Sequence, residues 1–155
     1  MTADEYAAFY HSSFEHHVEE LILEEKMSEE EAKAEAKKEL LEMLPNGPDT
    51  ADNCLMAIKR KAGQQMIGYI WTLYEFNDEI KQCFLCDFMI EEAYRRHGYG
   101  TQALFLTERI AKEQGCREIV LFAANANRPA EALYRKCGYQ VRKPYSYGKY
   151  MFKAL

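Results

Sequence analysis

The chain has 155 residues, of which 48% are hydrophobic, and its formal net charge is −5. This length allows one α/β domain with a sizeable core, so residues 1–155 are predicted to form a single domain. No apolar run approaches the ~20 residues that a membrane span needs, and the first residues lack the basic-then-apolar order of a secretion signal. The sequence therefore predicts a cytoplasmic protein without a membrane partner.

The charge is divided unevenly along the chain. Residues 1–52 carry 15 acidic and 4 basic side chains, whereas residues 53–155 carry 10 acidic and 16 basic ones. The basic second part suits a phosphorylated ligand, and the overall acidity argues against nucleic acid as a partner. The five cysteines are an odd number scattered through apolar segments, which indicates a reducing compartment rather than a disulfide framework.

Two capping boxes predict two helices at the start of the chain. Thr2 with Glu5 opens an apolar pattern of helical spacing that runs to about residue 26. Ser28 with Glu31 opens a second helix, which ends near residue 44 before a Pro-Asn-Gly-Pro segment.

Two sets of side chains could be taken for metal ligands, and the sequence predicts no metal at either. His16, His17 and Glu20 lie on the first helix, but the HExxH arrangement is absent and a solvated polar face explains them. Cys83 and Cys86 lie three apart on a predicted strand, where their side chains point to opposite faces.

Three strands follow the helices. β-branched and aromatic residues predict strands at Cys54–Lys61, Met66–Phe76 and Ile80–Ile90, separated by turns at residues 62–65 and 77–79. The middle of the chain is thus predicted to be a β-meander.

A glycine pair follows the third strand, in the hexapeptide Arg-Arg-His-Gly-Tyr-Gly of residues 95–100. An amphipathic helix that ends near Gly115 comes next, and then a strand at Glu118–Phe122. Glycines let the backbone turn sharply, while the helix N-terminus and the basic side chains attract anions. This arrangement predicts a cradle for an anionic cofactor, and a solvated surface turn is the alternative.

The same glycines satisfy the G-x-G-x-x-G/A form of a dinucleotide-binding turn, in which Ala103 takes the last position. Antiparallel strands precede the turn, however, and no carboxylate ends the following strand, which stops at Phe122-Ala123-Ala124. A nicotinamide-dependent enzyme is therefore the third interpretation, and the absence of Gly-Lys-Ser/Thr excludes a P-loop.

A short helix and a hairpin are predicted to complete the fold. Asn127 can cap a helix that extends to Lys136, and Gly138 ends it. The segments Tyr139–Arg142 and Tyr147–Phe152 then predict a closing hairpin.

Two motifs in this region resemble those of the GNAT (Gcn5-related) N-acetyltransferases. Arg95-x-x-Gly98-x-Gly100 resembles the family's R/Q-x-x-G-x-G/A signature. The block Asn127-x-x-Ala130-x-x-Leu133-Tyr134-x-Lys136-x-Gly138-Tyr139 resembles N-x-x-A-x-x-L-Y-x-K-x-G-F, with Tyr139 in place of the usual Phe. The two motifs lie in the expected order, with a helix and a strand between them.

The resemblance implies an α/β fold of the α+β type, with a mixed, mostly antiparallel central sheet flanked by helices. Family members usually begin with a strand, whereas this chain enters a helix almost at once. The first strand is therefore expected to be missing or very short, unless the chain starts upstream of Met1. A homodimer contact across that edge of the sheet stays open.

The resemblance also implies acetyl-CoA as the acetyl donor. Main-chain groups of Met89 and Ile90 are expected to pair with the pantetheine arm, and the N–H of Ile90 to polarise the thioester carbonyl. Asn127 is expected to cap its helix and to contact the pantetheine or the substrate. The residues implied in pyrophosphate binding are Arg95, Arg96, His97, Gly98, Tyr99, Gly100 and Thr101.

Tyr134 is implied as the general acid that protonates the departing thiolate and thus contacts the cofactor. A phenol of pKa ~10 can do this and stays protonated at neutral pH. Asp87, a carboxylate inside an apolar strand, is the candidate base, and a structural hydrogen bond to a loop is the alternative. Glu75, Glu91 and Glu92 are weaker candidates because each lies near a strand end.

The sequence as a whole predicts an N-acetyltransferase that transfers the acetyl group of acetyl-CoA to a primary amine by direct attack. The acceptor is expected to be a small molecule or a peptide, and its identity lies in the loops and helices around the cleft. A catalytically silent acyl-CoA-binding module, regulatory or interacting, is the alternative.

Overall fold

We analysed a computed structural model of the chain, which describes residues 1–61, 64–77 and 79–155. Three residues of the two predicted turns lie outside the described residues: Ala62, Gly63 and Asp78. Among the helices that are described, none is both long enough and apolar enough to cross a membrane.

The described residues group into two compact units, Met1–Asn53 and Cys54–Leu155. The first unit contains the two predicted helices, α1 (Ala3–Glu25) and α2 (Glu29–Met43), followed by a short 3₁₀ turn at Gly47–Asp49. The prediction of one domain for the whole chain stays a prediction.

Both predicted capping boxes form in the first unit. The Thr2 side chain accepts a hydrogen bond from the Glu5 N–H, while the Glu5 carboxylate accepts one from the Thr2 N–H. Ser28 and Glu31 make the same reciprocal pair at α2. An apolar cluster joins the two helices through Val18, Leu21, Ala32 and Ala36.

His17 of α1, one of the side chains considered above as possible metal ligands, has two ion-pair partners. The His17 imidazole lies between Glu20 on its own helix and Glu39 on α2. The hydrogen bond to Glu20, together with that to Glu39, outweighs partial burial and raises the pKa of His17 to about 9. A protonated imidazole donates from both nitrogens, so His17 links α1 to α2.

The second unit is built on a mixed six-stranded sheet. β3 and β4 are parallel, while β2–β3, β4–β6 and β5–β6 are antiparallel. The order across the described sheet is β1-β2-β3-β4-β6-β5, which confirms the predicted fold with its two preceding helices. The strands are β1 (Asn53–Lys59), β2 (Met66–Asn77), β3 (Ile80–Ile90), β4 (Glu118–Ala124), β5 (Gln140–Pro144) and β6 (Gly148–Ala154).

Two helices complete the second unit, α3 (Tyr99–Glu113) between β3 and β4 and α4 (Arg128–Lys136) after β4. Both contribute to one core with the sheet, in which the α3 side chain Leu104 and the α4 side chain Tyr134 meet strand residues. The alternation of side chains along a strand puts Cys83 and Leu85 of β3 on this helix-covered face. Gln82 and Phe84 therefore lie on the opposite face of the sheet.

Candidate active site

The two central parallel strands separate before they end. β3 pairs with β4 only over Gln82–Leu85, opposite Glu118–Leu121, although β3 continues to Ile90. A β-bulge lies where the pairing stops, because Thr72 of β2 pairs with Leu85 and Trp71 pairs with Asp87, which leaves Cys86 as the extra residue. Bulges bend a strand, so the segment Cys86–Ile90, here called the open half of β3, diverges from β4.

The main chain of the open half faces two directions in alternation. The N–H of Glu91 donates to the carbonyl of Ile67 at 2.9 Å, which marks a hydrogen-bonded pair with β2. In an antiparallel ladder such pairs alternate, so Met89 also points its N–H and C=O at β2. The N–H and C=O of Ile90 and Phe88 then point into the opening beside β4. The sequence had assigned this position to Met89 and Ile90, so the prediction for Met89 is replaced by Phe88.

The hexapeptide turn lies at the end of the open half and starts α3. Arg96 (φ +67°) and Gly98 (φ +83°) both adopt the left-handed conformation, and Gly98 is the N-cap residue. No described side chain caps this helix, whereas Thr2, Ser28 and Asn127 cap the other three α-helices. The first N–H groups of a helix have no intrahelical acceptor, so those of residues 99–101 are available to an anion.

The second glycine of the turn allows a close approach between elements. A Cβ on Gly100 would lie 3.0 Å from the Leu133 side chain of α4 and 3.6 Å from the Phe88 ring of β3. The first turn of α3 is therefore held directly against both the open half and α4.

The basic side chains of the turn are exposed, and two of them hold the turn itself. The Arg95 Nε donates to the Ile90 carbonyl at 2.8 Å, which links the turn to the open half. His97 Nδ1 lies 2.7 Å from the Arg95 carbonyl oxygen, within hydrogen-bond distance. Arg96 is exposed beside them, so the turn presents positive charge next to the free N–H groups.

Tyr134 and Asp87 reach the opening from different elements. Tyr134 of α4 is 6% exposed, and its ring lies 5.8 Å from that of Tyr139. Burial and, second to it, the Asp87 carboxylate raise the pKa of the Tyr134 hydroxyl above its ordinary value. Asp87 lies on the face of the sheet opposite to α4, together with Trp71, and its charge nevertheless acts on the Tyr134 hydroxyl across the open half of the sheet.

Asp87 has a buried partner that the sequence did not indicate. The hydroxyl of Tyr69, a fully buried side chain of β2, donates to Asp87 Oδ2 at 2.9 Å. Only the register of β2 against β3 brings these residues together, and no local sequence signal encodes that register. The expected hydrogen bond to a loop is therefore replaced by one to a neighbouring strand, and the role of Asp87 as a base stays a prediction.

Asn127 lies at the start of α4, beyond the end of β4. Its side chain accepts from the Ala130 N–H at 3.2 Å, which confirms the predicted helix cap. Its own N–H donates to the Ala124 carbonyl at 3.0 Å, so the residue is fixed at the rim of the opening. A contact between Asn127 and a bound ligand stays a prediction.

The arrangement fits an elongated ligand with a phosphate-bearing end. The uncapped first turn of α3 supplies N–H groups and positive potential for phosphates. The open half turns the main-chain groups of Phe88 and the N–H of Ile90 toward a polar chain that lies beside it like a strand. Tyr134 and Asp87 then flank the point where such a chain would end, which suits proton transfer to and from a reacting group.

Comparison with known proteins agrees with this geometry. Residues 10–139 match the profile described as Acetyltransferase (GNAT) family. The chain is 27% identical to the uncharacterised N-acetyltransferase YycN of Bacillus subtilis, over 90% of its own length and 89% of that protein. It is 29% identical to YdgE of the same organism, also an uncharacterised N-acetyltransferase, over 91% and 89% of the two chains.

Solved structures show the same fold. The crystal structure of YycN superimposes with a TM-score of 0.85 at 26% identity, covering 94% of this chain and 92% of that one. The PaiA N-acetyltransferase of Thermoplasma acidophilum, solved in complex with coenzyme A, gives a TM-score of 0.72 at 18% identity over 100% and 96% of the two chains.

Proposed function

The chain belongs to the GNAT acetyltransferase family and is an N-acetyltransferase, and from that premise we propose that it acetylates a primary amine of a small molecule or peptide by direct attack on acetyl-CoA. The observation that carries the proposal is the open half of β3, which turns the main-chain groups of Phe88 and the N–H of Ile90 away from β2, beside the uncapped start of α3. Relatives of this family bind coenzyme A, as the PaiA complex illustrates.

The turn at the start of α3 and the open half of β3 bind different parts of acetyl-CoA. The N–H groups at the start of α3 hold the pyrophosphate, and Arg95, Arg96 and His97 add positive charge around it. The main-chain groups of Phe88 hold the pantetheine arm and the N–H of Ile90 faces the thioester, while Met89 keeps this segment registered on β2. The proposed pyrophosphate-binding segment is Arg95, Arg96, His97, Gly98, Tyr99, Gly100 and Thr101.

The bound donor supplies an activated thioester carbonyl, at which a C–N bond to the amine forms and the C–S bond to the thiolate breaks. The N–H of Ile90 donates to the carbonyl oxygen as negative charge develops on it. Tyr134 donates its proton to the departing sulfur, and its raised pKa keeps that proton in place over the working pH range.

Asp87 accepts the proton that the attacking amine loses, directly or through water. The hydrogen bond from Tyr69 fixes its carboxylate at the opening.

The test combines an acceptor panel with a binding measurement. The panel contains alkylamines, polyamines, amino sugars, amino acids and lysine peptides, and it records CoA thiol release together with the mass of the product. We expect CoA and N-acetylated product in equal amounts with at least one amine class. Calorimetric binding of acetyl-CoA without turnover on any class would instead support the silent module.

A further inference from the structure

α4 carries the proposed acid Tyr134 on only nine residues, Arg128–Lys136. A helix of this length has little stability of its own, so its neighbours determine how it lies on the sheet. Successive residues turn by about 100° around a helix axis, so Ala130 and Tyr134 share the side that packs on the core. Leu133 lies on one flank of that side and Glu131 on the other. The direction of the Tyr134 side chain therefore depends on what holds these two flanks.

An apolar contact holds the first flank. The Leu133 side chain packs so close to α3 that a Cβ on Gly100 would lie 3.0 Å from it. Apolar packing limits how near two elements come, but it is not directional and therefore tolerates small rotations. This contact sets the distance of α4 from α3 and leaves the rotation of α4 about its axis less defined.

An ion pair holds the second flank. Lys149 of β6 donates from Nζ to Glu131 Oε2 at 2.7 Å, and Arg135 donates from Nε to Glu131 Oε1 at 2.9 Å. Lys149 lies opposite the core residue Ala123 of β4, so its side chain extends on the helix-covered face of the sheet. The Glu131 and Lys149 side chains are each only 18% exposed, which reduces the screening of their attraction by water and salt.

The rotation of α4 matters because Tyr134 must meet a moving target, the departing sulfur. Hydrogen bonds between charged groups are directional, so the pair between Glu131 and Lys149 defines that rotation. Side-chain ends lie about 5–6 Å from a helix axis, and a rotation of about 10° moves them by about 1 Å. A misplacement of about 1 Å can lower a reaction rate about 100-fold.

We propose that Lys149 is a positioning residue for the acetyl transfer: through its ion pair with Glu131 it fixes the rotation of α4 and so directs the Tyr134 hydroxyl at the departing sulfur. Lys149 acts through α4 rather than on the reacting atoms. The inference rests on the proposed acid role of Tyr134, because a helix without an acid would have no hydroxyl to direct.

A double-mutant cycle between Lys149→Met and Tyr134→Phe tests this dependence. The kinetics use saturating acetyl-CoA and a saturating amine on which the acceptor panel records turnover. We expect Lys149→Met alone to lower kcat about tenfold, as the acid is misplaced, and to leave KM for acetyl-CoA within about twofold. In the Tyr134→Phe background the same change should lower kcat less than about twofold, since no hydroxyl is left to misplace.

Arg142→Met is the matched control. Arg142 donates to Glu118 at 2.8 and 2.7 Å, a comparable ion pair that joins β5 to β4 rather than to α4. Its loss should lower Tm and leave kcat within about twofold of the wild-type value. Lys149→Arg keeps the cation and should restore kcat to within about threefold of wild type.

A second variant changes the other end of the ion pair. Glu131→Gln removes the charge and keeps the size of the side chain, so it should repeat the effect of Lys149→Met in weaker form. The cycle therefore does not depend on one variant alone. Circular dichroism and calorimetric binding of acetyl-CoA verify that each variant folds.

The outcomes separate this inference from the proposals on which it rests. An equal fall in kcat in both backgrounds, a fall that Arg142→Met reproduces, or unchanged kcat in folded Lys149→Met would overturn the positioning role and leave the acid role in place. Unchanged kcat in Tyr134→Phe itself would remove the acid role and the positioning role with it. No turnover on any amine would remove the proposed acetylation.

Discussion

The two halves of β3 have the same neighbour on one side and different surroundings on the other. From Gln82 to Leu85 the strand is paired with both β2 and β4, and Cys83 and Leu85 are buried in the core. Within Cys86–Ile90 only β2 is paired, and every side chain is partly exposed. The first half of the strand is therefore held rigidly within the sheet. The second half has main-chain donors and acceptors that do not pair with β4.

The bulge at Cys86 is the boundary between these roles. It inserts one residue against β2 and turns the strand out of register with β4. Changes on the open side should therefore alter turnover or donor binding, whereas changes on the paired side should alter stability.

Tyr134→Phe removes the proposed acid at the opening and should have the largest effect. We expect kcat to fall about 100-fold or more, the usual contribution of a general acid. Acetyl-CoA affinity should stay within a factor of two or so, since the hydroxyl acts on the departing sulfur rather than on the bound donor. Steady-state kinetics and calorimetry measure the two quantities, and unchanged kcat would exclude the acid role.

Leu85→Ala tests the paired half. Leu85 is 5% exposed in the core, and its truncation should cost about 3 kcal/mol of unfolding free energy. Chemical denaturation followed by circular dichroism measures the loss. Acetyl-CoA affinity below the unfolding transition should be nearly unchanged. A large loss of affinity in a folded variant would show that the two halves are not separable.

Gly68→Ala adds a methyl group on β2 that would displace the open half of β3. A Cβ there would lie 2.2 Å from the Met89 carbonyl oxygen and 3.1 Å from the Ile90 Cα, so the open half must move away. We expect the Kd for acetyl-CoA to rise about tenfold, as one main-chain hydrogen bond of the pantetheine is misplaced. Retained affinity in calorimetry would mean that Ile90 does not hold the donor.

Arg95→Ala should have a smaller effect, because the side chain is exposed and its loss removes one hydrogen bond to Ile90. We expect a rise of about threefold to tenfold in KM for acetyl-CoA. Arg95→Lys retains the charge and loses the Nε donor, so it separates positioning from electrostatics. Arg109→Ala, on an exposed side chain of α3, is the control.

Deprotonation of Tyr134 should not affect kcat below pH 10. Burial and Asp87 raise the pKa of its hydroxyl above the ordinary value, so the proton-donating form predominates up to at least that pH. We therefore expect kcat to show no fall between pH 8 and pH 10. An alkaline loss in this range that disappears in Tyr134→Phe would contradict the raised pKa.

Local sequence patterns predicted the helices, the strands and both motifs because each depends on neighbouring residues. The capping boxes of α1 and α2, the glycine at the start of α3 and the Asn127 cap are examples. The bulge at Cys86 and the Tyr69–Asp87 hydrogen bond depend on how two distant strands align.

The position of β6 has a consequence for how the second unit assembles during synthesis. This strand, the last in the chain, lies between β4 and β5, so both acquire their shared neighbour only when residues 148–154 have emerged. Such late, long-range pairing slows folding and leaves β4 as an exposed edge until residues 148–154 have been made. A chain truncated before Gly148 would keep both family motifs and still lack the strand that joins β5 to the sheet.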